Sequence, residues 1–306
     1  MITHYFKTTE DTQLSTCPEP RVGIWTHVVA PKEEELEALS ELYGLDETII
    51  KDIEDFFEVP RFEQEGTASY FFTRYPYDLE DIDIDTVPIL IVLGETFLIT
   101  IAEQEVPFLK PFLDGKRIFS TTHKTKLFLE FVSELMITYE RKLTRTRKMV
   151  LRDTGRVRSI KARDIQRLVF FEQEINETIS ALVPTHDWLK QLTKGNYIQM
   201  FSEDRELLED LLIANNQLVD SSKSILKTIQ NIRGASESIL TQKLNSTIRM
   251  LTGLTIVLTI PTLISSLFGM NVPLPLQNNP YGFWLIITII VVAVAFTIYF
   301  LRNRWI

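Results

Sequence analysis

Between Arg249 and Arg302 the chain contains no Asp, Glu, Lys or Arg. About 20 apolar residues are enough for a helix to cross a bilayer, so this stretch has room for two spans, Met250–Phe268 and Tyr281–Leu301. A charge-free turn over 271–281 joins them. Ile286, Ile287, Ile289, Ile290, Val291, Val292 and Val294 make the second span apolar all round, as suits a helix that faces lipid. Tyr281 and Trp284 mark one interface, and Arg302, Arg304 and Trp305 the other. Lys243 and Arg249 before the first span, with the two arginines after the second, put both ends on the cytoplasmic side and the turn outside. The chain opens Met1-Ile2-Thr3-His4-Tyr5-Phe6-Lys7 with no basic segment leading into an apolar run, so no cleaved signal peptide is expected. The expected location is the cell (inner or plasma) membrane, as a multi-pass protein with both termini cytoplasmic.

Charge then divides what precedes the spans. Met1 to Lys110 carries 24 acids against 7 bases, and Lys116 to Arg167 carries 15 bases against 5 acids. The remainder is nearly neutral, and the whole chain of 306 residues stands at −9, which argues against a nucleic-acid binder. Cys17 is the single cysteine, so neither a disulfide framework nor a multi-cysteine metal site can form. The four histidines, His4, His27, His123 and His186, lack metal-binding spacing.

The acidic part reads as mixed α/β. Val22–Val29 and Tyr70–Tyr75 are rich in β-branched and aromatic residues, and Val87–Leu93 with Thr96–Ile101 read as a hairpin around Gly94-Glu95. Pro31 to Glu34 opens a helix running towards Tyr43, where Gly44 stops it. From His123 the pattern is helical, with Gly155 and Pro184 as the strong breakers before Gly195. Asn196–Ser202 reads as a loop ending at an N-cap serine, with Glu203, Asp204 and Glu206 in the following turn. The helix that starts there meets no proline until Pro261. Its seam, Leu207, Leu211, Ala214, Leu218, Ser221, Ile225, Ile229, Ile232, Ser236 and Ile239, repeats close to the coiled-coil period. Unbroken to Phe268, it would be roughly 100 Å long, a stalk packed on its own domain and on copies of itself.

The expected fold is therefore an α+β membrane protein: an acidic cytoplasmic α/β domain over 1–122, a helical domain and stalk over 123–249, and two transmembrane helices over 250–306. A polar stripe, Asn245, Ile248, Thr252, Thr255, Thr259, Thr262 and Ser266, runs along the first span in steps of three and four and continues the stalk. Any one of these hydroxyls can bond to the carbonyl one turn back. A whole aligned stripe is better explained by a wet axis shared by several copies of the helix.

At the end of that span stands Phe268-Gly269-Met270-Asn271, followed by Val272-Pro273. It is similar to the aromatic-Gly-Met-Asn signature of the CorA family of magnesium channels and transporters. Its place between the spans, with the basic-aromatic tail Arg302-Asn303-Arg304-Trp305-Ile306 after the last one, makes the match specific. Pro261-Thr262-Leu263 and the stretch Leu45 to Ile53 extend the resemblance over the chain. The resemblance implies a homopentamer in the membrane, with Gly269, Met270 and Asn271 as the ion filter and an apolar constriction at Ile248 and Leu251. It also implies closure by cytoplasmic Mg²⁺ bridging acidic side chains, for which Asp78 and Asp210 stand at the most similar positions, with Asp81, Asp83 and Asp85 next.

The chemistry of the filter follows from the residue types. Mg²⁺ gives up its octahedral water shell reluctantly. An amide carbonyl accepts hydrogen bonds from coordinated water without the charge that would trap the ion. Asn271 can also be read as a left-handed helix cap. Met270 is too soft a ligand for magnesium and reads as a packing residue. The turn lacks the acid that many relatives carry after the motif. No phosphate loop, paired catalytic acids or nucleophile triad is evident, so neither an enzyme nor an organic cofactor is expected. The expected activity is passive uptake of hydrated Mg²⁺, with Co²⁺ or Ni²⁺ as further cargo. A zinc transporter of the same superfamily is one alternative, and a non-transporting two-span coiled-coil tether is another.

Overall fold

Near-continuous apolar runs over 68–76, 86–93 and 97–102 make strands that are buried on both faces, and the elements around them are arranged to cover those faces. In a computed structural model the described residues are 1–77, 86–154, 162–195, 197–272, 275 and 280–305, without the side chains of 153, 154, 162, 163, 304 and 305. Their strands are β1 (Ile2–Phe6), β2 (Ser15–Cys17), β3 (Ile24–Val29), β4 (Arg61–Glu65), β5 (Ala68–Pro76), β6 (Thr86–Leu93) and β7 (Phe97–Ala102). They form one sheet in the order β2-β1-β3-β7-β6-β5-β4. The β3–β7 pair is parallel, with Ile24 opposite Phe97, and the other neighbours are antiparallel. Leu93 opposite Leu98, with the Gly94 N–H donating to the Phe97 carbonyl at 3.1 Å, makes the hairpin that the sequence suggests.

Each face of the sheet has its own cover. On one side Tyr70, Phe72, Leu90, Val92, Ile99 and Ile101 pack with Leu36 and Leu39 of α1 (Glu33–Tyr43) and Ile50 of α2 (Glu47–Lys51). α1 ends at Gly44, whose φ of 66° is the left-handed conformation that glycine adopts without strain. The Asp46 carboxylate caps α2 by accepting the Thr48 and Ile49 N–H groups. On the other side Trp25, Phe71, Ile89, Ile91 and Leu98 meet a helical layer. After the short α3 (Lys110–Leu113), that layer consists of α4 (Lys124–Thr154), α5 (Ala162–Lys194) and the start of α6 (Ser202–Phe268). Phe128 and Phe131 of α4, Trp188 of α5 and Leu208 of α6 belong to this core.

Three expectations change on contact with the structure. Pro184 lies inside α5 and does not end it. Gly155, the other expected breaker, lies outside the described residues. Ser202 is the first residue of α6 rather than its cap, because the buried Asp204 carboxylate takes the Phe201 N–H at 3.0 Å. From Leu207 to Ile232 the seam of α6 is buried or half-buried, with Leu211, Leu218, Ile225, Ile229 and Ile232 in one core with α4 and α5 of the same chain, and Arg233 donates to the Glu172 carboxylate at 2.7 Å. That stretch of the seam therefore needs no second copy to explain it.

By compactness the chain divides into two units, 1–233 and 234–306. The second holds the remainder of α6 and α7 (Gly282–Trp305). Both helices include stretches long and apolar enough to cross a membrane, and neither stretch is buried within the chain. Leu254, Leu258 and Leu263 of α6 and Val291, Val292 and Phe296 of α7 all expose more than half their surface. Apolar surface of that extent requires lipid or a partner.

Candidate functional site

Position along α6 decides which side chains share a face. At 3.6 residues per turn, Gly253, Val257, Ile260 and Ile264 fall on one side, and these are half-buried. On α7 the half-buried Ile286, Ile290, Ala293, Thr297 and Leu301 form a matching stripe. A methyl group added at Gly253 would stand 3.6 Å from Leu301 Cδ1, so the two helices meet there. Thr255, Thr259, Thr262 and Ser266 lie on the opposite side of α6 and are exposed. Asn245, Ile248 and Leu251 extend that exposed side towards the first unit, and Thr252 stands half-buried at its edge. The polar stripe thus faces away from the chain's own second span.

Its hydroxyls are engaged in a single way. The Oγ1 atoms of Thr252, Thr255, Thr259 and Thr262 donate to the carbonyls of Ile248, Leu251, Thr255 and Leu258 at 2.7 to 2.9 Å. Back-bonding and a wet stripe were competing readings of the sequence, but the geometry lets both hold. Each O–H is spent on its own helix, while the oxygen lone pairs stay unspent. The stripe is consequently a row of acceptors. Pro261 sits within α6 without ending it, although its ring removes the N–H that would bond the Val257 carbonyl.

At the end of α6 the Gly269 N–H donates to the Ser265 carbonyl at 3.0 Å. A Cβ at Gly269 would come to 3.2 Å from that same oxygen, a tight contact that glycine avoids. Met270 and Asn271 are exposed. Asn271 does not have a positive φ, so the left-handed cap does not explain it. Its side chain makes no hydrogen bond among the described residues. Among the described residues, its uncharged carbonyl and amide have no partner at the mouth of the helix.

Of the two acids singled out for regulation, Asp210 is exposed on α6, whereas Asp78 lies outside the described residues, as do Asp81, Asp83 and Asp85. Among the described residues no group of three or more His, Cys, Asp or Glu is gathered to hold a metal. One group near that region was not anticipated. Arg74, at the end of β5, is buried and has no carboxylate partner among the described residues. Its guanidinium donates to Thr86 Oγ1 and the Thr86 carbonyl on β6, and to the carbonyls of Phe56 and Glu58. Its own carbonyl accepts the buried Tyr139 hydroxyl of α4 at 2.8 Å. Burial holds the guanidinium below its ordinary pKa. The clamp fixes the end of β5 to the start of β6; the only hint of it in the sequence is an arginine inside an apolar strand.

With this geometry in place, comparison with known proteins gives consistent results. A family profile described as "CorA-like Mg2+ transporter protein" matches residues 21–303. The "Cobalt/magnesium transport protein CorA" of Methanocaldococcus jannaschii is 27% identical over 297 residues, covering 92% of this chain and 91% of that protein. The complete structure of the CorA magnesium transporter from the same organism superposes with a TM-score of 0.88 at 23% identity, over 100% of this chain and 99% of the other. The cytoplasmic domain of ZntB from Vibrio parahaemolyticus gives a TM-score of 0.55 at 11% identity, over 79% and 96%. These structural likenesses carry the fold, including the soluble α/β part and the long helix that runs into the first span.

Proposed function

Because the chain belongs to the CorA-like Mg²⁺ transporter family, we propose that it passes hydrated Mg²⁺, and Co²⁺ or Ni²⁺ as further cargo, through an axial pore built from several copies of α6. The observation that carries this reading is the acceptor stripe on the side of α6 opposite α7. Water bound to Mg²⁺ points its hydrogens outward, so a pore wall for the hydrated ion should offer oxygen lone pairs rather than O–H donors. Back-bonded threonines do that at Thr252, Thr255, Thr259 and Thr262.

The stripe leads to Asn271, whose uncharged amide suits a first filter of the same chemistry. Gly269 and Met270 complete that filter. Ile248 and Leu251 are the apolar side chains of the stripe, and rings of such residues close a pore by dewetting. The ion needs no chemical fuel: two charges moving down a potential of about 100 mV release about 4.6 kcal/mol. We assign both ends of the chain to the cytoplasm, the turn 271–281 to the outside, the assembly to a homopentamer, and the division at 122 and 249 to its soluble and membrane parts. Asp78 and Asp210 of neighbouring copies are the proposed regulatory pair, bridged by internal Mg²⁺.

The zinc alternative shares the fold. Against it stand an uncharged oxygen-rich stripe and the absence of gathered Cys or His among the described residues, whereas zinc favours nitrogen and sulfur. The test is uptake into liposomes under an inside-negative potential. Mg²⁺ entry that rises with the potential supports the reading. Protein that admits Zn²⁺ while excluding Mg²⁺ would overturn it, as would an assembled protein that admits neither.

A further inference from the structure

Within the second unit a groove of about 1340 Å³ runs along α6 beside the end of α7. It exceeds the roughly 300–1,000 Å³ of a site for a drug-sized ligand, so it can take a long amphiphile. Arg249 and Arg302 line it together with apolar Gly253, Leu254, Val257 and Ile298. The groove is on the side of α6 that meets α7, and Asn245 is the one residue of the polar stripe that lines it. We propose that it binds one anionic phospholipid, with the phosphate between Arg249 and Arg302 and an acyl chain along Leu254, Val257 and Ile298. This assignment rests on membrane insertion alone and not on which ion the protein carries.

Charge identifies the occupant. Both arginines are exposed, and neither has an ion-pair partner among the described residues. The one acid lining the groove is Glu237, twelve residues before Arg249 and therefore roughly 18 Å away along the helix. Glu237 is also the last acid in the chain: from 238 to 306 there are Lys243, Arg249, Arg302 and Arg304 and no Asp or Glu. A second copy brings the same acid-free stretch, so its spans have nothing with which to neutralise these arginines. A molecule that joins negative charge to a long apolar body, at the boundary between the two media, is an anionic lipid. Basic pockets between membrane helices on the cytoplasmic side bind such headgroups.

The test uses the full-length protein, purified in detergent and mixed with equal amounts of phosphatidylglycerol and phosphatidylcholine of identical acyl chains. Native mass spectrometry counts the retained lipids and reports the assembly in the same spectrum. Phosphatidylglycerol should be preferred by about 30-fold, from two arginines each acting near an anionic surface. Arg249→Gln with Arg302→Gln should remove the preference, and Arg302→Gln alone should lower it by about fivefold if the double variant fails to assemble. Gly253→Phe keeps both charges but fills the groove, and should reduce retention of both lipids. Soluble glycerol phosphate should not displace the bound lipid. Equal retention of the two lipids by the native protein, an undiminished preference in the arginine variants, or displacement by glycerol phosphate would each overturn the assignment. So would disulfide formation between copies carrying Leu254→Cys, since a neighbouring helix would then fill the groove.

Discussion

Replacing Thr259 by valine tests the proposed pore wall at the level of a single atom. Thr259 is exposed on the stripe, and its hydroxyl donates to the Thr255 carbonyl at 2.7 Å. Valine keeps the β-branched shape and a nearly equal helix propensity, so α6 should form and the protein should assemble as before. What is lost is one outward-facing acceptor per copy. A hydrogen bond to the ion's water shell is worth about 1 kcal/mol net, and 1.4 kcal/mol is a factor of ten. Losing one such contact per passing ion should slow flux by about fivefold, and losing two by roughly 30-fold. The assay is entry of Mg²⁺ into dye-loaded liposomes held at about 100 mV, inside negative, with the oligomer quantified by size-exclusion chromatography. Thr259→Ser restores the acceptor and should restore flux, whereas Ile260→Val, on the side that meets α7, should leave flux alone. If assembled Thr259→Val conducts like the native protein, the stripe does not contact the ion's water shell.

Three further perturbations probe other parts. Asn271→Ala should abolish Mg²⁺ flux and leave the oligomer intact, and normal conduction by an assembled mutant would remove Asn271 from the filter. After replacement of the single native cysteine, Cys17, cysteines at Thr255, Thr259 and Thr262 should react with small hydrophilic thiol reagents in the open state. Those at Ile260 and Leu263 should not, and equal labelling on all faces would exclude a wet axis. Burial holds His27 down to about 4 from an ordinary 6.5. The unfolded chain therefore takes up a proton between those values that the folded chain refuses, and stability falls as pH drops through that window by roughly 3 kcal/mol. Thermal melts of the native protein and of His27→Gln at stepped pH should diverge there, and parallel curves would show that His27 is not the cause.

The parts of the fold that could be read from the sequence are those whose signal is local and repetitive. β5, β6 and β7 are buried on both faces, so their apolar runs stand out, and Gly94 marks the turn between the last two. β2 and β4 are the edges of the sheet. Edge strands pair on one side only and tolerate polar residues, so Arg61-Phe62-Glu63-Gln64-Glu65 gave no strand signal. The polar stripe was legible because hydroxyls at steps of three and four are conspicuous among Leu and Ile. That it points away from α7 was not, since the contact defining the other face joins Gly253 to Leu301, far apart in sequence. Arg74 escaped notice for the same reason: its partners lie on β6 and in the segment before β4. The α6 seam was visible but ambiguous, because an apolar stripe looks the same whether it packs on its own domain or on a second copy.

All the described strands lie between residues 2 and 102, yet the core on one side of their sheet runs on to Ile232. During synthesis, the face covered by α1 and α2 can close as soon as β7 leaves the ribosome. The opposite face, with Trp25, Phe71 and Leu98, must wait for α4, α5 and α6. At about 5–20 residues per second that wait is roughly 6–26 s, during which a bare aromatic surface stands uncovered. Ile232 precedes Met250 by only 18 residues, so the sheet's second cover and the first membrane span emerge almost together. The nascent chain then presents two sticky surfaces in quick succession, and a substitution that delays the docking of α5 should raise aggregation or chaperone capture even where the finished protein is hardly destabilised.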